Sequence, residues 1–112
     1  MQKQNYSYIL DFSNVKYYSE IHEIIKKELN FPDFYGRNWD AFWDCLTDMY
    51  GEEFNLEVIG LTKLHESLGK EIEKDISKIK EILYRFKHNY DNMFSDLITI
   101  KIIDGDFEYY ID

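Results

Sequence analysis

The spacing of apolar residues divides the 112-residue chain into alternating strands and helices. Residues 6–12, Tyr-Ser-Tyr-Ile-Leu-Asp-Phe, are rich in strand-favouring side chains and predict a first strand. From Glu20 to about Leu29, Ile21, Ile24, Ile25 and Leu29 recur at helical spacing with charges between them, and Ser19 is placed to cap the first turn. Residues 30–37 read as a loop. Pro32 biases Phe31 towards an extended backbone, and Gly36 suits a tight turn with positive φ. Asn38 is the expected cap of a second helix running to about Asp48. A second strand fits Phe54–Ile59, a short helical stretch residues 61–69, and a longer helix residues 70–90. The apolar stripe of that last helix is Ile72, Ile76, Ile79, Ile82, Leu83 and Phe86. Residues 97–103, Leu-Ile-Thr-Ile-Lys-Ile-Ile, read as the most fully buried strand.

The resulting order is β-α-α-β-α-α-β. Helices between successive strands predict an α/β fold with a parallel sheet and right-handed crossovers. The length fits one domain, with residues 1–104 as its body. Residues 105–112 follow as an acidic aromatic tail. Phe107 to Tyr110 read either as an extra edge strand or as a mobile end.

Charge narrows the function classes. Twenty-two acidic residues against 13 basic ones give a net charge of −9. Nucleic-acid affinity rests on Lys and Arg neutralising phosphates, so direct binding of DNA or RNA is not expected. Docking on anionic membranes is disfavoured for the same reason. No apolar stretch approaches a membrane span, and the N-terminus has no signal-peptide core. The single cysteine, Cys45, excludes an internal disulfide. Together these features predict a cytoplasmic protein.

Residues 34–50 carry the candidate chemistry. At 100° per residue from Asp40, an arc of roughly 100° to 260° collects Trp39, Ala41, Phe42, Cys45, Leu46 and Met49 as the core-facing stripe. Asp40, Asp44 and Thr47 lie opposite, Asp48 at one flank and Trp43 at the boundary. Asp40 and Asp44 share one face at i, i+4, where like charges oppose helix formation by a few tenths of a kcal/mol. The N-terminal dipole favours Asp40 but gives little help to Asp44. Taken alone, such a pair is most simply a solvated helix face. The aromatics Phe34, Tyr35, Trp39 and Trp43 around it change that picture towards an interface, with aromatic anchors surrounding groups that seek cations.

Residues 34–47, Phe-Tyr-Gly-Arg-Asn-Trp-Asp-Ala-Phe-Trp-Asp-Cys-Leu-Thr, resemble the signature of the barstar family of small ribonuclease inhibitors. The pattern Tyr-Gly-x-Asn-x-Asp-Ala-x-Trp-Asp-Cys-Leu-Thr matches at every fixed position, and the detailed likeness covers about residues 19–47. The resemblance implies a three-stranded parallel sheet flanked by helices. It also implies binding over the active site of a barnase-type ribonuclease through the second helix and the loop before it. By motif position, Asp44 is similar to the central carboxylate, which enters the catalytic pocket and meets the arginines and histidine that hold phosphate. Asp40 resembles a second carboxylate facing the basic rim. Asn38, Trp39, Trp43 and Thr47 match contacting or supporting positions, within the same loop and helix as Tyr35 and Gly36. Phe34 stands where the family has an aromatic stacked on the catalytic histidine, here without a hydroxyl.

The chain departs from the family pattern after Thr47, where it has Asp48, Met49 and Tyr50. Aligning the last helix by Phe86 puts His88 where the family has a further acidic contact. A related toxin with a differently shaped rim therefore stays open as the partner. So does a barstar-like binding module for another basic protein, such as a non-ribonuclease toxin or a nucleic-acid-binding protein. An enzyme is not expected: Asp40 and Asp44 lie on one helix face, with no evident cleft and no sequence sign of a raised pKa. His22, His65 and His88 form no local metal motif, and neither metal nor cofactor is expected. Cys45 reads as a packed side chain rather than a nucleophile. The free chain is expected to be a monomer.

Overall fold

The computed structural model describes residues 7–89 and 95–112. Tyr6 and Tyr90, which the pattern assigns to the first strand and the last helix, lie outside the described residues. In chain order the elements are β1 (Ser7–Asp11), α1 (Ser19–Glu28), α2 (Trp39–Thr47), β2 (Phe54–Ile59), α3 (Leu61–Leu68), α4 (Glu73–His88), β3 (Ile98–Asp104) and β4 (Phe107–Tyr110). Short 3-10 turns at Lys70–Ile72 and Ser95–Leu97 precede α4 and β3.

The four strands lie in the order β1-β2-β3-β4. β1, β2 and β3 are parallel, with Tyr8 beside Leu56 beside Ile100, and Leu10 beside Val58 beside Ile102. β4 is antiparallel to β3, so the sheet has one strand more than the resemblance implies. Gly105, at φ 64°, supplies the left-handed residue of the reversal. The β-prone Phe107–Tyr110 segment then pairs with the free side of β3, and the N–H of Ile111 extends the ladder to the carbonyl of Ile100 at 2.9 Å.

Among the described residues, helices cover only one face of the sheet. Leu10, Leu56, Val58, Ile98, Ile100 and Ile102 join one core cluster with Ile21, Ile25, Phe42, Leu46, Leu64, Ile79, Ile82 and Phe86 of the helices. The neighbours on the other face, Ile9, Glu57, Thr99 and Lys101, are exposed or half-buried. β3 therefore alternates, rather than being buried throughout as its largely apolar sequence predicts, because among the described residues no helix lies against its second face.

Two helix starts differ from expectation. Ser19 is the first residue of α1 and not its cap. The Glu20 carboxylate curls back to accept the N–H groups of Lys16 and Tyr17 at 2.8 Å each, serving part of the capping role. The stretch from residue 70 is not one continuous helix: Gly69 (φ 83°) ends α3, and the 3-10 turn intervenes before α4 begins at Glu73.

Candidate partner-binding site

The end of α1 sets the path into the site. Asn30 takes φ 56°, in the left-handed region. Its N–H donates to the Lys27 carbonyl at 3.3 Å, and the Phe31 N–H to that of Lys26 at 2.9 Å. These are the two bonds that close a helix C-terminus, and Pro32 just beyond cannot continue the helix. Phe31 then turns into the core. A further turn, Tyr35 N–H to Pro32 carbonyl at 2.9 Å, sends adjacent side chains in opposite directions. Phe34 is 84% exposed, whereas Tyr35 is 2% exposed.

Tyr35 thus departs from the expected set of partner contacts. Its ring packs on Phe31 at 5.2 Å, and its hydroxyl shares a 2.6 Å hydrogen bond with His22 Nδ1. Burial drives the Tyr35 hydroxyl pKa upward, so it stays protonated. Burial lowers the pKa of His22, with nearby Arg37 adding to the effect and Asp75 opposing it.

The left-handed residue of the loop is Arg37, at φ 51°, and not Gly36. Glycine suits position 36 for another reason. A Cβ there would lie 3.2 Å from Asn38 Nδ2 and 3.4 Å from Ala41 Cβ, crowding the cap of α2. Arg37 also forms an ion pair with Glu23 that ties the loop to α1.

Asn38 caps α2 as expected: its Oδ1 accepts the Ala41 N–H at 2.8 Å, and its Nδ2 donates to the Gly36 carbonyl at 3.2 Å. Its side chain is committed to shaping the loop. Trp39 is half-buried against His22, with ring centres 4.5 Å apart, and its Nε1–H donates to Asp75 Oδ1 of α4 at 2.9 Å. Trp43 lies on the boundary, and the Arg85 guanidinium of α4 sits 4.5 Å from its ring centre. Thr47 donates its hydroxyl to the Asp44 carbonyl at 2.8 Å, so it supports the helix locally. Cys45 is buried, and burial first, then Asp48 and Asp44, hold its thiol pKa up.

Asp40 and Asp44 stand exposed on the outer face of α2. Among the described residues neither has a cation within 4.0 Å. Two carboxylates one turn apart, on a helix fixed at its cap and at both tryptophans, form a rigid anionic surface with Phe34 projecting nearby.

Sequence reasoning missed the groove beside that surface. It lies between α2 and α4, measures about 220 Å³, and includes Lys78, Ile82 and Arg85 of α4. Their spacing, together with Asp75, defines one helix face, which was the available signal. His88 lies elsewhere: its ring packs at a tilt against Tyr84, with centres 4.4 Å apart, and Nε2 bonds to the backbone carbonyl of Asp112. Among the described residues no group of His, Cys, Asp and Glu is arranged to hold a metal ion, and no helix is long and apolar enough to cross a membrane.

The fold and this face define a small α/β protein with an acidic, aromatic-edged helix. The family model described as Barstar (barnase inhibitor) matches residues 6–98, and the chain belongs to that family. A protein of Bacillus subtilis (strain 168), named "Putative ribonuclease inhibitor YrdF", is 54% identical over 37 residues. The match spans 33% of this chain and 37% of that relative, about a third of either.

Proposed function

We propose that the chain inhibits a barnase-type ribonuclease by covering its active site with α2 and the loop before it. The observation that carries this reading is the pair of exposed carboxylates, Asp40 and Asp44, left without a cationic partner among the described residues. A ribonuclease site is lined with cations that stabilise phosphate charge. Asp44 enters that site as a phosphate substitute with no bond the enzyme can cleave, and Asp40 meets its basic rim. Phe34 stacks on the enzyme's exposed ring. Trp39, Trp43, Asn38 and Thr47 hold the geometry.

Rigidity matters as much as charge. The Asn38 cap, the Trp39–Asp75 hydrogen bond and the Arg85–Trp43 contact fix α2 before binding, so little ordering entropy is lost on association. Binding a cation also relieves the repulsion between Asp40 and Asp44, itself worth a few tenths of a kcal/mol. A net charge of −9 steers the chain towards a basic enzyme, at a rate that falls with salt. The reading carries with it a cytoplasmic immunity protein that is monomeric when free.

The test is RNA cleavage by a set of barnase-type ribonucleases with and without the purified chain. Inhibition of at least one at micromolar concentration or below is expected. Failure against all of them transfers the site to the second reading, a barstar-fold module for another basic protein. The departure from the family pattern after Thr47, where the chain has Asp48, Met49 and Tyr50, is the feature that favours that second reading.

A further inference from the structure

The groove between α2 and α4 holds charges of both signs. Asp40 and Asp44 line its α2 side, Lys78 and Arg85 its α4 side, and the buried Ile82 lies between them. The two sides do not neutralise each other: no Asp40 or Asp44 oxygen lies within 4.0 Å of either cation. The Arg85 guanidinium carbon sits 4.5 Å from the Trp43 ring centre, and among the described residues no carboxylate pairs with it, so it is open to an incoming group. Lys78 has only an exposed i, i+3 pair with Glu81 at 3.8 Å among the described residues, a contact too weak to keep it from a partner.

We infer that the partner presents a carboxylate to Lys78 and Arg85, directly beside the cationic centre that receives Asp44. This inference rests on the function proposed above and narrows the partner. A surface that is basic throughout would face the two α4 cations with like charge, and such a juxtaposition rejects a partner. A surface with an acidic group at the edge of its basic centre satisfies both sides of the groove. Arg85 suits this role because its planar fork matches a carboxylate in two parallel hydrogen bonds. Lys78 and Arg85 are then specificity determinants: they select among ribonucleases that all share a cationic active site.

The experiment measures inhibition constants of the unaltered chain, Lys78→Glu, Lys78→Gln and Asp44→Ala against purified barnase-type ribonucleases of known structure. For the enzyme inhibited most strongly, Lys78→Glu weakens inhibition about tenfold or more, and Lys78→Gln, which adds no repulsion towards Glu81, about threefold. Replacing the enzyme's facing carboxylate by lysine restores inhibition by the Lys78→Glu chain. Circular dichroism melting of each variant separates loss of binding from loss of folding. Inhibition that tightens or stays unchanged in both folded Lys78 variants overturns the inference alone. Inhibition that survives Asp44→Ala unchanged overturns the proposed placement of α2 instead. If no ribonuclease is inhibited by the unaltered chain, both fall together.

Discussion

The strand β4 and the entry to α2 are built from similar residues. One carries Asp106, Phe107, Glu108, Tyr109 and Tyr110; the other carries Phe34, Tyr35, Trp39, Asp40, Trp43 and Asp44. Their circumstances differ. Lys101 of β3 reaches Glu108 at 3.4 Å and lies 5.8 Å from the Tyr110 ring centre. The β4 backbone is paired along its length with β3. Its acidic and aromatic groups are thus partly answered from within the chain. On α2, Asp40 and Asp44 point outward with no cation in reach among the described residues, while the backbone and tryptophans beneath them are fixed by hydrogen bonds. Acidic and aromatic composition alone does not mark a binding surface. An unanswered charge on a rigid support does.

The largest expected effect comes from removing one negative charge in each region. Asp44→Ala weakens ribonuclease inhibition about a hundredfold or more, the scale for truncating a desolvated charge pair. Glu108→Ala removes the same charge from β4 and leaves inhibition within about twofold. Asp75→Ala would be a poor control, because Asp75 accepts the Trp39 indole N–H and so helps to seat α2. Inhibition constants from RNA cleavage at fixed salt decide the matter. Equal losses in the two variants would mean that net charge alone drives association.

A smaller effect separates two neighbours inside the site. Phe34→Ala weakens inhibition about tenfold, as expected for an aromatic anchor, and changes unfolding stability by less than about 0.5 kcal/mol. Tyr35→Ala behaves in the opposite way: it opens a core cavity and lowers stability by about 3–5 kcal/mol. Urea unfolding followed by tryptophan fluorescence, set beside the inhibition constants, checks both. A large stability loss in Phe34→Ala would contradict the outward path of the loop.

Much of this fold was legible where its causes are local. β2 spans Phe54–Ile59 as its alternation predicts, and Asn38 caps α2 as its side chain permits. Apolar spacing also gave the inner face of α2, with Phe42, Cys45 and Leu46 buried. What stayed hidden depends on segments far apart in the chain. The role of Asp75 becomes visible only when α4 packs on α2, 36 residues away. Lys78 and Arg85 read as solvated charges for the same reason. The inward turn of Tyr35 follows from how α1 ends, since the residue type alone permits either direction. Ser19 had suitable cap chemistry, but the path of the preceding chain gave the Lys16 and Tyr17 N–H groups to Glu20. The open face of the sheet was legible in β3 itself, where Thr99 and Lys101 alternate with Ile98, Ile100 and Ile102, although the largely apolar composition of the segment favours burial on both sides.

The smallest effect is one of pH, and it acts in opposite directions on the two regions. Behind the loop, burial lowers the pKa of His22 below its usual 6.5. The unfolded chain therefore takes up this proton first as pH falls. Stability associated with His22 is complete above about pH 6.5, declines below it, and levels once His22 is protonated in the folded state too. His22→Gln removes that portion of the decline. On the sheet, Glu108 raises the pKa of Lys101 above 10.5, first through the hydrogen bond and then through its charge. The contribution of this pair is complete below pH 10.5 and is lost as pH rises through the folded-state value. Glu108→Ala removes it. Urea midpoints are measured from pH 8 down to 5.5 and separately from pH 9 up to 11.5: the acid-side decline is expected to be shallower in His22→Gln than in the unaltered chain, whereas the Glu108→Ala midpoint lies below that of the unaltered chain up to about pH 10.5 and the difference shrinks above it. A His22→Gln midpoint that follows the unaltered chain throughout the acid range would show that the His22–Tyr35 contact does not discriminate between protonation states. The loop would then owe its rigidity to the Asn38 cap and to Trp39–Asp75.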